Sequence, residues 1–342
     1  MAKRPTVTDL AQAAGVSVAT VDRVLNGRLP VREATAHRVL EAAKHIGFHA
    51  AGLIGQRISH DRPEHRLGFL LLPHQTFYRE FAREIETAAA ETTQFRALPL
   101  IDYVPNLSPD EIVARLNALA KRVRAVALVA PDHPTLTAAV QALQDRQIPV
   151  FSLLSDFAAG VRQAYIGLDN RKVGRTAAWM IAKGAKRPGK VALFVGSHRF
   201  HGHELREIGF RAFFREQAPD FTVLDTMINL ETGQITHEAI LALLERHPDL
   251  IGCYVAGGGM EGAIRALREA SPARDLVTIC NELLPESRAA LAENLITMVL
   301  SVPLPRLCRE LIDLMARAVE GDVTAVPGQT FLPFDIFLPE NI

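Results

Sequence analysis

Cysteine is scarce in this sequence: Cys253, Cys280 and Cys308 are the only three in 342 residues. They are too few and too widely spaced for a disulfide framework or a metal-ligand pattern, so they read as reduced, buried thiols. No metal and no cofactor are expected. Long apolar runs are also missing, since none approaches the roughly 20 residues that a membrane-spanning helix needs. The opening MAKRPTVTDLAQ lacks the apolar stretch that follows the basic residues of a signal peptide, which predicts a cytoplasmic protein. Net charge is absent too, with 38 basic residues against 38 acidic ones. No spacing suggests a Ser-His-Asp set or a glycosidase carboxylate pair, and no enzyme is expected.

What is present is an ordinary globular composition, 48% hydrophobic and 22% charged, in a chain long enough for more than one domain. The charge is unevenly spread. Residues 1 to 60 hold eight Lys or Arg against four acids, so a basic end precedes a neutral body, as expected if one module meets a polyanion. Thr6-Val7-Thr8-Asp9 has the form of a capping box and starts a short helix carrying Leu10, Ala11, Ala13 and Ala14. Gly15 ends it. Ser17 caps a second helix in which Val21, Val24 and Leu25 form one buried face, leaving Val18, Ala19, Asp22 and Arg23 pointing outward. A third amphipathic segment buries Ala36, Val39, Leu40, Ala43 and Ile46 and ends at Gly47. Three short helices with a tight second turn make a helix-turn-helix unit.

The stretch VTDLAQAAGVSVATVDRVLNGRLPVREATAHRVLEAAKHIGF closely resembles the DNA-binding head of the LacI family of bacterial regulators. The resemblance implies that the second helix enters the major groove, with Val18, Ala19 and Arg23 at the base-reading positions. Arg23 suits a bidentate contact to guanine, and Val18 and Ala19 suit apolar contacts such as to a thymine methyl. Thr6, Ser17, Thr20, Asn26 and Thr35 match the positions that hold phosphates. Asp22 is unusual on such a face, where an acid either accepts from a cytosine amine or repels phosphate.

After Phe48 the family has a proline-containing hinge helix that wedges a leucine into the minor groove. This chain reads HAAGLIGQRI instead, with Ala50 in place of the proline and Arg57 at the wedge position. Leu53, Ile54 and Ile58 are alternative wedges. A plain linker containing Gly52 and Gly55 is the other reading.

From Arg66 onward β-rich runs alternate with amphipathic helical stretches: LGFLLLP, ALPLIDYV, AVALVAP and PVFSLL, then after Asp169 KVALFVGS, FTVLDTMIN, LIGCYVAG and LVTICNE. This is the pattern of parallel sheets with crossover helices, an α/β architecture in two successive lobes. The whole body is similar to the periplasmic sugar-binding-protein fold that LacI-family regulators carry as a sensor. The segment YIGLDNRKVGRTAAWMI looks like the crossing between lobes. The expected organisation is a head over 1–48, a hinge or linker over 49–64 and a body over 65–342. Lobe one takes about 65–168 and 299–326, and lobe two about 169–298 and 327–342. LPRLCRELIDLMARAVEG after Pro303 reads as an amphipathic helix packing partly on the first lobe.

In such sheets ligands bind beyond the carboxyl ends of the strands, here between the lobes. Position makes His74, Gln75, Phe77, Tyr78, Asp132, Arg162, Asp169, Asn170, His201 and Arg206 candidates, and Arg206 matches the family's sugar-binding arginine. A polyol asks for carboxylate and guanidinium partners plus an aromatic face, roles that suit Asp132, Arg206 and Phe77. Each has a plainer alternative: Asp169-Asn170 as a helix cap, Phe77 as core, Asp132 as a turn residue. Where the family commonly has an Asn-Asp pair, this chain has Ala256-Gly257-Gly258-Gly259, whose bare amides at Gly258 suit an anionic group. Asn281-Glu282 and Ser301 also reach the cleft by position, and Glu282 has the alternative of a solvated turn residue. His198, His201 and His203 crowd one loop as a polar rim.

The expectation is a homodimeric regulator, a repressor in the main reading, that binds near-palindromic operator DNA under control of a sugar, sugar acid or polyol. A solute-binding protein of a sugar transport system is the alternative, and the attached head and missing signal peptide oppose it.

Overall fold

A computed structural model describes residues 5–26, 31–60, 63–72, 76–93, 95–271, 276–321 and 328–342. The chain forms two compact units, one of residues 1–65 with 90–98 and the other of 66–89 with 99–342.

The first unit is helical at its start: α1 (Val7–Ala14), α2 (Val18–Asn26), α3 (Glu33–His45) and α4 (Ala51–His60). The capping box is present, because Thr6 Oγ1 accepts from the Asp9 amide at 3.3 Å and the Asp9 carboxylate accepts from the Thr6 amide at 2.7 Å. Gly15 ends α1 at φ 62°, a left-handed conformation that costs glycine nothing. Ser17 Oγ accepts from the Thr20 amide at 3.2 Å and so starts α2. Leu10, Val21, Val24, Val39, Leu40, Ala43 and Phe48 form one core, and Ile54 of α4 is fully buried in it. The hinge segment is therefore a helix seated on the head. Ile54 cannot act as a minor-groove wedge without leaving that core, whereas Leu53 is exposed. The side chains of Arg57 and Ile58 lie outside the described residues.

The remaining elements are β1 (Glu64–Leu71), α5 (Thr76–Glu91), β2 (Arg96–Tyr103), α6 (Pro109–Ala120), β3 (Ala125–Leu128), α7 (Pro134–Gln144), β4 (Val150–Leu153) and β5 (Ala164–Leu168). They continue with α8 (Asn170–Gly184), β6 (Lys190–Val195), α9 (His201–Gln217), β7 (Thr222–Val223), β8 (Met227–Ile228), α10 (Gly233–Arg246), β9 (Leu250–Val255) and α11 (Met260–Ala270). The chain ends with β10 (Val277–Asn281), α12 (Pro285–Ala292), β11 (Met298–Ser301), α13 (Leu304–Glu320), β12 (Gly328–Leu332) and β13 (Asp335–Phe337). One sheet runs β12-β5-β4-β3-β1-β2. The second runs β13-β11-β10-β9-β6-β7, with β8 also on β6. The pairs β1-β3, β3-β4, β4-β5 and β5-β12 and those among β6 to β11 are parallel, and β13 is antiparallel to β11. Buried runs such as Val191 to Val195 and Val277 to Asn281 show why these strands read as continuous apolar stretches, being covered on both faces.

Two boundaries need correction. β11 lies in the second sheet, and β12 pairs in parallel with β5 from Gly328↔Ala164 to Leu332↔Leu168, so residues 328–332 belong to the first lobe rather than the second. α13 packs beside β3 and β5, so the chain that leaves β11 in the second sheet is carried back to the first before β12 begins. The stretch FTVLDTMIN is also not one strand. Arg211 takes the Leu224 carbonyl at 2.9 Å and Thr226 Oγ1 at 2.7 Å, which diverts the chain between β7 and β8.

Candidate functional site

On the head, Thr6, Ser17, Val18, Ala19, Asp22, Arg23 and Asn26 are exposed, and Thr20 and Thr35 are half-buried. α2 thus turns its inner face to the core through Val21 and Val24 and its outer face, with Val18 and Arg23, to solvent. The acid on this face is engaged by its own helix. Asn26 Nδ2 donates to Asp22 Oδ1 at 2.6 Å, one turn away, so one of the two carboxylate oxygens is engaged within α2 itself.

In the body, a cavity of about 290 Å³ opens beyond the carboxyl ends of both sheets. Its walls include Leu72 after β1, Val129 after β3, Leu154 and Ser155 after β4, Gly257 and Gly258 after β9, Asn281 and Glu282 at the end of β10 and Val302 after β11. Ligand pockets run from roughly 300 to 1,000 Å³, so this one holds a small molecule of about one ring.

Arg206 of α9 lies at its floor, 7% exposed. Its Nε donates to Asn170 Oδ1 at 2.7 Å and its Nη1 to the Ala256 carbonyl at 2.6 Å, fixing the guanidinium plane and leaving Nη2 without a partner among the described residues. Asn170 in turn donates to the Leu154 carbonyl at 3.1 Å, so it holds Arg206 rather than lining the cavity. Phe77 and Tyr78 of α5 line the opposite wall, edge to face with centroids 5.0 Å apart. Tyr254 stacks on Phe210 beneath the floor and donates to Asn281 Oδ1 at 2.8 Å.

Two carboxylates face this guanidinium. Glu231 Oε2 accepts the Gly258 amide at 2.9 Å, and burial holds its pKa above the usual carboxylate range. Glu282 accepts from Ser301 Oγ and the Val302 amide, both at 3.1 Å, and burial pushes its pKa up to about 7 against the pull of Arg206. Burial and Arg206 push His203 down to about 3, so the ring is neutral. Its Nδ1 is buried with no hydrogen-bond partner among the described residues, 3.8 Å from Glu231 Oε1.

The raised pKa of Glu282 has a stability consequence. A carboxyl whose folded pKa exceeds its unfolded value stabilises the fold fully below the unfolded pKa and loses that contribution as pH rises through the folded one. The Glu282 contribution to melting of the ligand-free chain should therefore fall between pH 5 and pH 8, by roughly 2–4 °C per kcal/mol for a unit of this size, while His203, held neutral, contributes in the opposite sense as pH rises to about 6.5. Glu282→Gln should flatten the fall; an unchanged slope in that variant would exclude this carboxyl as the source.

Several expected ligand contacts lie elsewhere. Arg162 is 3% exposed and paired through two nitrogens with Asp156, with Nη2 at 2.6 Å from Oδ2 and Nη1 on the Gly328 carbonyl, so it fastens β12 beside β5. Asp132 is exposed, its carboxylate taking the Ala158 amide at 3.1 Å and its amide donating to the Arg199 carbonyl at 2.9 Å. Asp169 caps α8 by accepting from the Lys172 amide at 3.2 Å. His201 is outside the lining and bonds to Glu204 at 3.0 Å; two residues on, His203 is the histidine that lines the cavity. His74 and Gln75 lie outside the described residues. Gly258 lines the cavity, but its amide is given to Glu231, so the anion at the glycine turn comes from the chain itself. Glu231 and Ser155 were not among the expected contacts, and His203 was expected only as part of a polar rim.

A sequence profile of the bacterial regulatory proteins of the lacI family matches residues 6–50, and a periplasmic binding protein domain profile matches 72–322. A helix-turn-helix transcriptional regulator from the aml 5′ region of Streptomyces limosus is 29% identical over 291 residues, 78% of this chain and 74% of that protein. The sucrose operon repressor of Klebsiella pneumoniae is 33% identical over 136 residues, 38% of this chain and 39% of that protein. Among solved structures, a solute-binding protein of Agrobacterium vitis bound with α-D-tagatopyranose superposes with a TM-score of 0.73 at 21% identity, covering 81% of this chain and 95% of that one. That likeness concerns the fold.

Proposed function

The chain belongs to the LacI family of bacterial regulatory proteins, and from that membership we propose how its two units divide the work: the head reads an operator and the body captures a monosaccharide-sized polyhydroxylated effector. The observation that carries this reading is Arg206, held by Asn170 and Ala256 at the floor of a small cavity walled by both sheets. A guanidinium with a free edge, a neutral imidazole and two carboxylates offer donors and acceptors to a ring of hydroxyls, and Phe77 and Tyr78 offer it an apolar face. Described residues contain no helix long and apolar enough to cross a membrane, and a cytoplasmic site of action accords with binding DNA.

Control follows from the walls belonging to two lobes. An effector that touches both favours the arrangement in which they close on it, and only a difference in affinity between arrangements transmits to DNA. A homodimer would place two heads on half-sites of a near-palindromic operator.

Selection of random duplexes by the full-length chain at physiological salt tests the head. A palindromic site should emerge, and Arg23→Ala should lose roughly 1–3 kcal/mol of discrimination at one base pair of each half-site. Enrichment of no site, with or without monosaccharides, would refute the operator reading.

A further inference from the structure

The start of α9 is held from the other lobe. Its N-cap position is Phe200, whose side chain has no oxygen to offer, so the amide of Gly202 in the first turn finds no acceptor within its own helix. The acceptor comes from the end of β4: Ser155 Oγ takes the Gly202 amide at 3.1 Å, in a buried contact. Arg206 lies one turn further along α9, so this bond fixes the end of the helix that carries the guanidinium.

The turn that presents Ser155 is closely specified. Leu154 adopts a left-handed conformation at φ 62°, strained for any residue but glycine, and its carbonyl accepts from Asn170 Nδ2 at 3.1 Å and Tyr165 Oη at 3.2 Å. Ser155 itself is buried. On the opposite side, a Cβ at Gly202 would lie 3.1 Å from the Leu154 carbonyl oxygen, so glycine is what lets the turn approach this closely. A second bond between the lobes runs from the Asp132 amide to the Arg199 carbonyl at 2.9 Å. Of these two contacts, only the first uses a side chain.

We propose that Ser155 is a positioning residue that caps α9 across the cleft, so that closure of the lobes on an effector completes the helix start bearing Arg206. Swinging the lobes apart takes the hydroxyl away from Gly202 and leaves its amide to water. The bond therefore belongs to one arrangement and not the other, which is the kind of difference a ligand-driven equilibrium uses. The inference rests on the effector reading of the cavity and adds the residue that ties closure to Arg206.

Titration calorimetry on the full-length chain with D-glucose, D-galactose, D-fructose, D-tagatose and D-ribose finds a sugar that binds, and amide exchange followed by NMR reads Gly202. Ser155→Ala should bind that sugar about three- to tenfold more weakly, the size of a lost cap. At saturating sugar its Gly202 amide should exchange about tenfold or more faster than in the wild type, a difference that a simple contact between Ser155 and the sugar would not produce. Gly202→Ala, which crowds the Leu154 turn from the other lobe, should weaken binding in the same way, and one folded variant suffices for the affinity. Equal exchange at Gly202 in wild type and Ser155→Ala, or wild-type affinity in a folded variant, overturns the cap and leaves the effector reading standing. Binding of none of the five sugars overturns both.

Discussion

Arg206→Ala should weaken binding of any monosaccharide that the wild-type body takes by about 30-fold to several thousandfold, since truncating one partner of a buried charged contact costs roughly 2–5 kcal/mol. The same change leaves Asn170 Oδ1 and the Ala256 carbonyl without their donor, so a lower melting temperature is expected as well. Arg206→Lys separates the two effects. Lysine keeps the charge but has no planar fork to span Asn170, Ala256 and a ligand at once, so the variant should recover part of the stability and little of the affinity. Titration calorimetry read beside thermal melts checks this. Wild-type affinity in the lysine variant would mean that charge alone, without the geometry of the fork, is what the cavity uses.

The second large effect is predicted for a residue with no polar chemistry. A Cβ placed on Gly174 of α8 would lie 2.7 Å from the carbonyl carbon of Arg206 and nearer still to its oxygen, a backbone clash that no rotamer relieves. A Cβ on Gly209 of α9 would likewise lie 3.0 Å from the carbonyl carbon of Arg171. The two helices touch backbone to backbone at both points. Gly174→Ala must spread them, at a cost of roughly 1–3 kcal/mol or more, and because Asn170 is on one helix and Arg206 on the other, the spread also breaks the bond between them. Chemical denaturation should show the lost stability, and ligand affinity should fall in the same variant. A Gly174→Ala chain of wild-type stability would mean that the helices do not approach as closely as described.

The head was the most legible part of the chain. Its helix starts are written in Thr6, Asp9 and Ser17, and its inner face in the spacing of Val21, Val24, Val39 and Ala43, because caps and periodicity act over a few residues. The strands of the body were nearly as plain, being apolar on both faces. The cavity was less so, since its members meet through long-range packing. Phe77, Tyr78, Arg206, Gly258 and Glu282 line it as position suggested, whereas Arg162 found a carboxylate six residues back in Asp156. Glu231 carried no local signal of its own, following a two-residue strand in a left-handed conformation at φ 61°. The signal lay 26 residues away, in Gly257 and Gly258, where a Cβ would come within 2.6 Å of a Glu231 oxygen. Two glycines marked the place of a carboxyl group, and the sequence alone did not reveal that the chain supplies it.

The chain passes between the two sheets three times: from β5 to α8, from β11 to α13 and from β12 to β13. Leu168 and Leu332, where two passages begin, are register partners on neighbouring strands, and Ser301 and Asp335, on either side of the other ends, are partners as well. The straps therefore run side by side. Three short straps in a row take away sliding and twisting of one lobe against the other and leave essentially one freedom, a swing about the line they define. A ligand's binding energy then has one coordinate along which to act, and every effector that closes this cavity must produce the same displacement, however different its chemistry.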